Sequence, residues 1–181
     1  MSGEETRVAA LGAYAPRLYV TAETVEAALG QFAASGVERK AVPEADEDTL
    51  TMAVEAVRRA LDAGGYDGSD LAYLAVATTT PPMEEADLTA RLASILGAPA
   101  DLDTRTLTGS TRAGGQALDA AVDAGPWTGS GDDSGAGVGV VVASDAPRGA
   151  PDSAVEQAAG AGAAAVVLGD GPGRVEGRGS H

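Results

Sequence analysis

The segment with the most chemical content is Thr108-Gly109-Ser110-Thr111-Arg112-Ala113-Gly114-Gly115. Its residue types predict a strand that enters a glycine turn and then a helix of very small side chains. Such a turn aims side chains and backbone N–H groups at one point, as nucleophile elbows do. Ser110 or Thr111 then occupies the elbow tip as a hydroxyl nucleophile. The same residues also suit plain N-capping, the commoner use of Ser and Thr ahead of a helix. A hydroxyl nucleophile needs a base, and none lies nearby in the sequence. The chain has one histidine, His181, at its last position, and no cysteine. A disulfide framework, a thiolate metal site and a cysteine nucleophile are therefore excluded.

Other clusters carry less. Gly129–Gly139 lacks the spacing of a phosphate loop and does not open a helix as a dinucleotide fingerprint does. The acidic runs Glu44–Asp48, Glu84–Asp87 and Asp132-Asp133 lack the EF-hand spacing and are expected to be solvated faces, with no metal site.

The length of 181 residues suits a single domain. Twelve Lys and Arg stand against 27 Asp and Glu, a net charge of -15, which argues against nucleic acid and an anionic membrane surface as partners. Lys40 is the only lysine and asparagine is absent. An acidic surface almost without lysine fits the cytoplasm of a halophile, where salt screens like-charge repulsion. Met1–Arg7 is polar and acidic, unlike the apolar core of a targeting signal. The apolar runs Val138–Ala143 and Ala161–Leu168 are too short to span a membrane.

The elements that must position the elbow follow from hydrophobic periodicity. Strands are expected at Val8–Tyr14, Leu71–Ala77, Arg105–Thr108, Val138–Ala143 and Ala163–Leu168. Helices are expected from Ala22 to Leu29 behind Thr21, from a cap at Asp46 or Asp48 to a stop at Gly64-Gly65, from Glu84 to Leu96, and over Thr111–Ala124. In the second of these, Leu50, Ala53, Val54, Val57, Ala60 and Leu61 recur at helical spacing. Gly36–Pro43 is read as a connector, Trp127–Gly137 as a loop, and Arg174-Val175-Glu176 as the start of a further strand. The alternation of strands and helices predicts an α/β layer fold, a mixed buried sheet packed with helices.

Four stretches, in order, resemble the N-terminal half of the archaeal 3-hydroxy-3-methylglutaryl-CoA synthases, of the thiolase superfamily. They are Gly12-Ala13-Tyr14-Ala15-Pro16-Arg17; Lys40-Ala41-Val42-Pro43 with Asp46-Glu47-Asp48-Thr49 and Met52–Ala56; Arg112-Ala113-Gly114 with Ala117-Leu118; and Ser144-Asp145 with Gly149-Ala150-Pro151 and Ala158–Ala164. The resemblance implies a thiolase-like half-fold over residues 1–170, with 171–181 a tail that begins a second half. It implies coenzyme A or an acyl-CoA as a non-covalent ligand. Arg17, Arg39 and Arg112 carry charges able to neutralise its phosphates, although surface arginines in an acidic protein more commonly solubilise or pair. The resemblance places Thr111 where the family has its acyl-accepting cysteine. It places Thr79, or its neighbour Thr78 or Thr80, where the family has its glutamate; the family's histidine lies in the second half. No catalytic group is matched.

Three functions are then open. The first is a catalytically degenerate domain that binds an acyl-CoA or scaffolds a thiolase-type complex. The resemblance implies as its partners an acetoacetyl-CoA thiolase and a zinc-ribbon/OB-fold acyl-CoA-binding protein. The second is an acyltransferase that uses Thr111 or Ser110 with a base from another chain. The third is a purely structural interaction domain. A lone half leaves an apolar face in water, so a fragment of a longer protein or a homo- or hetero-oligomer is expected.

Overall fold

The apolar runs become strands of one mixed sheet. A computed structural model describes residues 6–32, 34–82, 87–125, 127, 137–150 and 153–174. Along the chain lie β1 (Arg7–Tyr14), β2 (Leu18–Thr21), α1 (Ala22–Leu29), β3 (Arg39–Val42), α2 (Thr49–Gly64), β4 (Leu71–Ala77), α3 (Leu88–Leu96), β5 (Asp103–Leu107), α4 (Ala113–Ala124), β6 (Val138–Asp145), α5 (Ala154–Ala158), β7 (Gly162–Leu168) and β8 (Gly173–Arg174). The main sheet has the order β5-β4-β6-β7-β1-β8, and β2 pairs with β3 in a small separate sheet. Strands β5, β4 and β6 are mutually parallel, whereas β7, β1 and β8 continue the sheet antiparallel.

One face of this sheet packs on α2, which lies over β1, β7 and β6 and touches α3; α3 covers β4 and β5. The opposite face packs on α4, whose contacts run along β4, β5 and β6. Each face has its own apolar cluster, built around Met52, Val57, Leu74 and Leu92 on the first and Tyr73, Ala117 and Leu168 on the second.

Helix α2 forms where the apolar spacing predicts it. The Asp48 carboxylate accepts from the Thr51 N–H at 2.7 Å while the Thr51 hydroxyl accepts from the Asp48 N–H at 2.8 Å, a reciprocal cap. Gly65, at φ 75°, ends it. Ala53, Ala56 and Ala60 are fully buried against the sheet. These small residues let the helix backbone approach Gly12 of β1 closely.

Several boundaries differ from the sequence reading. The presumed connector Gly36–Pro43 supplies β3, which pairs with β2, and α5 also went unread. Both are short, with too few residues to show a period. Strand β5 begins at Asp103 because its ladder with β4 starts there, not at Arg105. Helix α3 starts at Leu88, where Asp87 accepts from the Thr89 and Ala90 N–H groups; Glu84–Ala86 lie outside the described residues. Helix α4 starts at Ala113 rather than Thr111, since the Arg112 N–H goes to the Ser110 hydroxyl. Most of the Trp127–Gly137 loop, and Val175–His181 with the one histidine, also lie outside the described residues. Gly173–Arg174 pairs with Arg7 and Val8 at the edge of the sheet.

Candidate functional site

Because β5, β4 and β6 are parallel, their carboxyl ends meet at one end of the sheet, with Ala77 opposite both Leu107 and Ala143. In such sheets the ligand crevice lies outside the carboxyl ends, where the chain departs to either side. The turn Thr78–Thr80 leaves β4 here, Thr108–Thr111 leaves β5, and Ser144-Asp145 closes β6. The Thr78 N–H donates to the Leu107 carbonyl at 3.0 Å, joining the first two. Thr79 and the elbow residues Ser110 and Thr111, separated by some thirty positions in the sequence, thus come to the same end of the sheet.

Asp145 organises this end. Its Oδ1 accepts from the N–H groups of Thr79 (2.6 Å) and Thr80 (3.1 Å), and from the hydroxyls of Thr78 (2.9 Å), Thr79 (3.0 Å) and Thr80 (3.1 Å). Three hydroxyls compete for one oxygen, so the Thr79 hydroxyl is not singled out as a nucleophile. The network extends onward. Thr80 Oγ1 accepts from the Ala146 N–H at 2.9 Å, and Thr49 Oγ1, in the first turn of α2, donates to the Thr80 carbonyl at 3.0 Å. The buried Ser144 hydroxyl donates to the Thr49 carbonyl at 2.7 Å. The sequence offers Asp145 only within the Ser144-Asp145 resemblance; its role as a hub comes from partners 65 or more residues away.

At the elbow, Gly109 adopts φ 79°, the left-handed turn the motif requires. Ser110 Oγ accepts from the Arg112 N–H at 3.0 Å, and the Ser110 carbonyl accepts from the Ala113 N–H at 3.0 Å. The Ser110 hydroxyl therefore serves a local turn ahead of the helix, and the expected side-chain cap is not made: α4 has Arg112 at its N-cap with no side-chain cap hydrogen bond. Thr111 and Arg112 are exposed at the start of α4.

A cleft of about 590 Å³ lies between α1, the paired strands β2 and β3, and the chain on either side of α5. Val25, Leu29, Val42, Pro43 and Pro147 make apolar walls, and Lys40 and Arg148 contribute cations. Pro147 follows Asp145 by two residues, so cleft and network are adjacent along the chain. The Lys40 side chain is 8% exposed and reaches Glu156 Oε1 at 2.9 Å, besides donating to the Glu156 carbonyl. It clasps α5 to β3, while Arg148 stands exposed.

The Lys40 hydrogen bond, helped by the Gly149 N–H and the Lys40 and Arg148 charges, holds the Glu156 carboxyl below the ordinary glutamate range despite burial. A depressed folded-state value means that the clasp stabilises above the unfolded value of about 4.3 and is lost as pH falls through the lower folded value. Glu156→Gln is expected to cost about 1–3 kcal/mol at pH 7, since it leaves the ammonium short of its charge partner. The difference between the two proteins should shrink when urea denaturation is repeated below about pH 4.

The three arginines offered by the sequence for coenzyme A phosphates do not line this cleft. Arg17, 88% exposed, lies 3.8 Å from Glu44 and lines a second cleft of about 430 Å³ with Tyr14 and Glu47. Arg39 stacks over the Tyr19 ring at 5.4 Å. Arg112 is at the elbow, the one of the three beside Thr111. The sequence reading passed over Lys40 and Arg148 as ligand-facing groups. The first was visible as the sole lysine, but only the fold sets it against Arg148.

No model of a known protein family matches the chain. Relatives do. It is 29% identical over 167 residues to hydroxymethylglutaryl-CoA synthase of Pyrococcus furiosus, covering 92% of this chain and 46% of that protein. It is 30% identical over 164 residues to the synthase of Thermococcus kodakarensis, covering 91% and 45%. Its fold matches MvaS in complex with 3-hydroxy-3-methylglutaryl coenzyme A with a TM-score of 0.77 and 27% identity, over 91% of this chain and 40% of that one.

The chain is a thiolase-fold homologue of the archaeal hydroxymethylglutaryl-CoA synthases.

The chain spans about half the length of the relatives it matches. It also superposes on the priming β-ketosynthase of the R1128 polyketide pathway, with a TM-score of 0.78 and 26% identity over 97% of this chain and 52% of that one. Among the described residues of the homologue, no helix is long and apolar enough to cross a membrane.

Proposed function

We propose that this chain is a catalytically degenerate hydroxymethylglutaryl-CoA synthase-like domain that binds an acyl-CoA without performing the condensation. The cleft beside Asp145 carries this reading. Its volume of about 590 Å³ falls in the range of small-molecule sites, and its lining is mainly apolar with a cation at the rim. Val25, Leu29, Val42 and Pro147 suit the pantetheine arm, and Arg148 suits phosphate oxygens. Lys40, already matched by Glu156, shapes the wall and holds α5 in place.

The degenerate half of the proposal rests on residue chemistry. A thiolate forms readily near neutral pH and accepts an acyl group as a thioester. The chain has no thiol, and Thr111, which the resemblance places at that position, brings only a weakly nucleophilic hydroxyl. Thr79 has no carboxyl with which to transfer a proton; its hydroxyl and N–H are turned to Asp145.

Calorimetric titration of the folded chain with acetyl-CoA in molar KCl tests the binding. Ala28→Trp, which fills the cleft, is expected to weaken binding at least tenfold, and Arg148→Ala to weaken it several-fold with a shallower salt dependence. Mass spectrometry after the titration should find no acetyl adduct on the natural chain. A folded chain that gives no heat overturns the proposal, and an adduct on Ser110 or Thr111 revives the acyltransferase reading.

A further inference from the structure

The cleft between α1, β2–β3 and α5 contains an acid. Among its described lining residues Glu156 is the only carboxylate, together with the cations Lys40 and Arg148. For a ligand that carries phosphates this charge has the wrong sign, since like charges set against each other cost affinity. The use made of its two oxygens explains its presence. Oε1 accepts from Lys40 Nζ, on β3, at 2.9 Å. Oε2 accepts from the Gly149 N–H at 2.8 Å. One carboxylate on α5 therefore reaches two other segments of the cleft wall, and it needs both oxygens to do so.

The Gly149 contact is the one that bears on binding. Arg148 directly precedes Gly149, so the carboxylate fixes the backbone that carries the guanidinium. The segment is held from α5 at a second place. The Ser153 N–H donates to the Ala150 carbonyl at 2.8 Å, and Ser153 Oγ accepts from the Glu156 N–H at 3.1 Å. Gly149 lies close against this start of α5: an added Cβ would be 2.5 Å from Ser153 Oγ and 3.2 Å from the Glu156 nitrogen. The Arg148 side chain is exposed, so its placement depends on the backbone beneath it.

We propose that Glu156 is a positioning residue of the cleft: it holds the Arg148-Gly149 backbone and α5 against β3, so that Arg148 is in place for a phosphate before the ligand arrives. The inference rests on the acyl-CoA reading above and concerns how that site is preorganised. Ordering a segment in advance spares the ligand that cost on binding. The proposal predicts a sign opposite to that of simple electrostatics. If charge alone mattered, Glu156→Gln would raise affinity, because it removes one negative charge from a chain of net charge -15 and leaves Lys40 without its counter-charge. If positioning matters, the same variant weakens binding. Glutamine has one acceptor oxygen where two are required, and its NH₂ group would face either the ammonium or the Gly149 N–H, donor against donor.

Two measurements on the full chain test the proposal. Without ligand, amide exchange at Gly149, read by NMR, should be several-fold faster in Glu156→Gln than in the natural chain. With acetyl-CoA, calorimetry from about 0.2 to 2 M KCl should show the variant binding about fivefold more weakly or worse, with the shallower salt dependence of Arg148→Ala. Glu156→Gln combined with Arg148→Ala should bind no more weakly than Arg148→Ala alone, because a guanidinium that is absent cannot be positioned. Asp67→Ala removes the cap of the turn before β4, away from the cleft lining. It should lower stability and leave affinity unchanged, which separates positioning from general destabilisation. An affinity in Glu156→Gln equal to or above that of the natural chain overturns the proposal, as does unchanged exchange at Gly149 or an additive loss in the double variant. Those results leave the acyl-CoA reading standing if the natural chain binds; a natural chain that gives no heat overturns both.

Discussion

Gly12→Val is expected to cost at least about 3 kcal/mol, the upper end of the overpacking range, and thus a large share of a domain's usual net stability of about 5–15 kcal/mol. A Cβ at Gly12 would lie 2.2 Å from the Ala56 carbonyl oxygen and 2.5 Å from the Ala60 nitrogen. Both are backbone atoms in the middle of α2, so no side-chain rotation relieves the overlap. Either α2 lifts from β1, opening the cluster around Met52 and Val57, or β1 shifts in its ladder with β7. The backbone of Gly12 is not in the left-handed region, so the effect is one of space alone. Gly115→Ala is the contrasting case. Nothing lies within 4 Å of its added Cβ, and a helical Gly→Ala change gains about 0.5–1 kcal/mol. Urea midpoints in molar KCl measure both; a Gly12→Val midpoint equal to that of the natural chain contradicts the close packing described above.

Asp145→Ala is the second large effect, expected at about 2–4 kcal/mol. A hydrogen bond to a charged group contributes about 1.5–3 kcal/mol, and a buried donor left without a partner costs about 1–3 kcal/mol. Five donors address Asp145 Oδ1 and cannot all bond strongly at once, so the cost is not five times that of one. The Thr79 and Thr80 N–H groups matter most, because they hold the turn after β4, and the Thr78 hydroxyl because that residue is 2% exposed. Asp145→Asn keeps a carbonyl acceptor and should recover about half of the loss. Proline-flanked Thr78–Thr80 would lose its shape in the alanine variant, so acetyl-CoA affinity should fall together with stability. Equal denaturation midpoints for Asp145→Ala and the natural chain would show that the turn holds itself without the carboxylate.

Much of the frame was legible in the sequence. The apolar spacing from Leu50 to Leu61 and the Gly64-Gly65 stop located α2, because a long amphipathic helix repeats its signal many times; which of Asp46 and Asp48 caps it was decided by the structure. The runs Leu71–Ala77 and Val138–Ala143 located central strands, because burial on both faces leaves no polar residue to break the run. The four-residue β2 and β3 and the five-residue α5 were not legible, since elements that short are decided by pairing and packing. The candidate site was half legible. Gly109 and Ser110 announced the elbow, and Thr79 stood out through resemblance. The hub at Asp145 and the clasp between Lys40 and Glu156 did not, for their partners lie 65 or more residues away.

The amino-acid sequence by itself determined the absence of a thiol and the order of the longer elements. Without a thiol no rearrangement of the chain yields a cysteine nucleophile, and hydrophobic period follows from local geometry alone. Tertiary structure decided which residues meet. Parallel pairing of β4 with both β5 and β6 brought Thr79, Ser110 and Asp145 to one end of the sheet, because parallel strands must deliver their carboxyl ends together. Packing likewise decided which apolar face is left open. Strand alternation tells that Leu11 and Gly12 face opposite ways, but only the placement of α2 and α4 shows that Gly12 is covered and Leu11 is not.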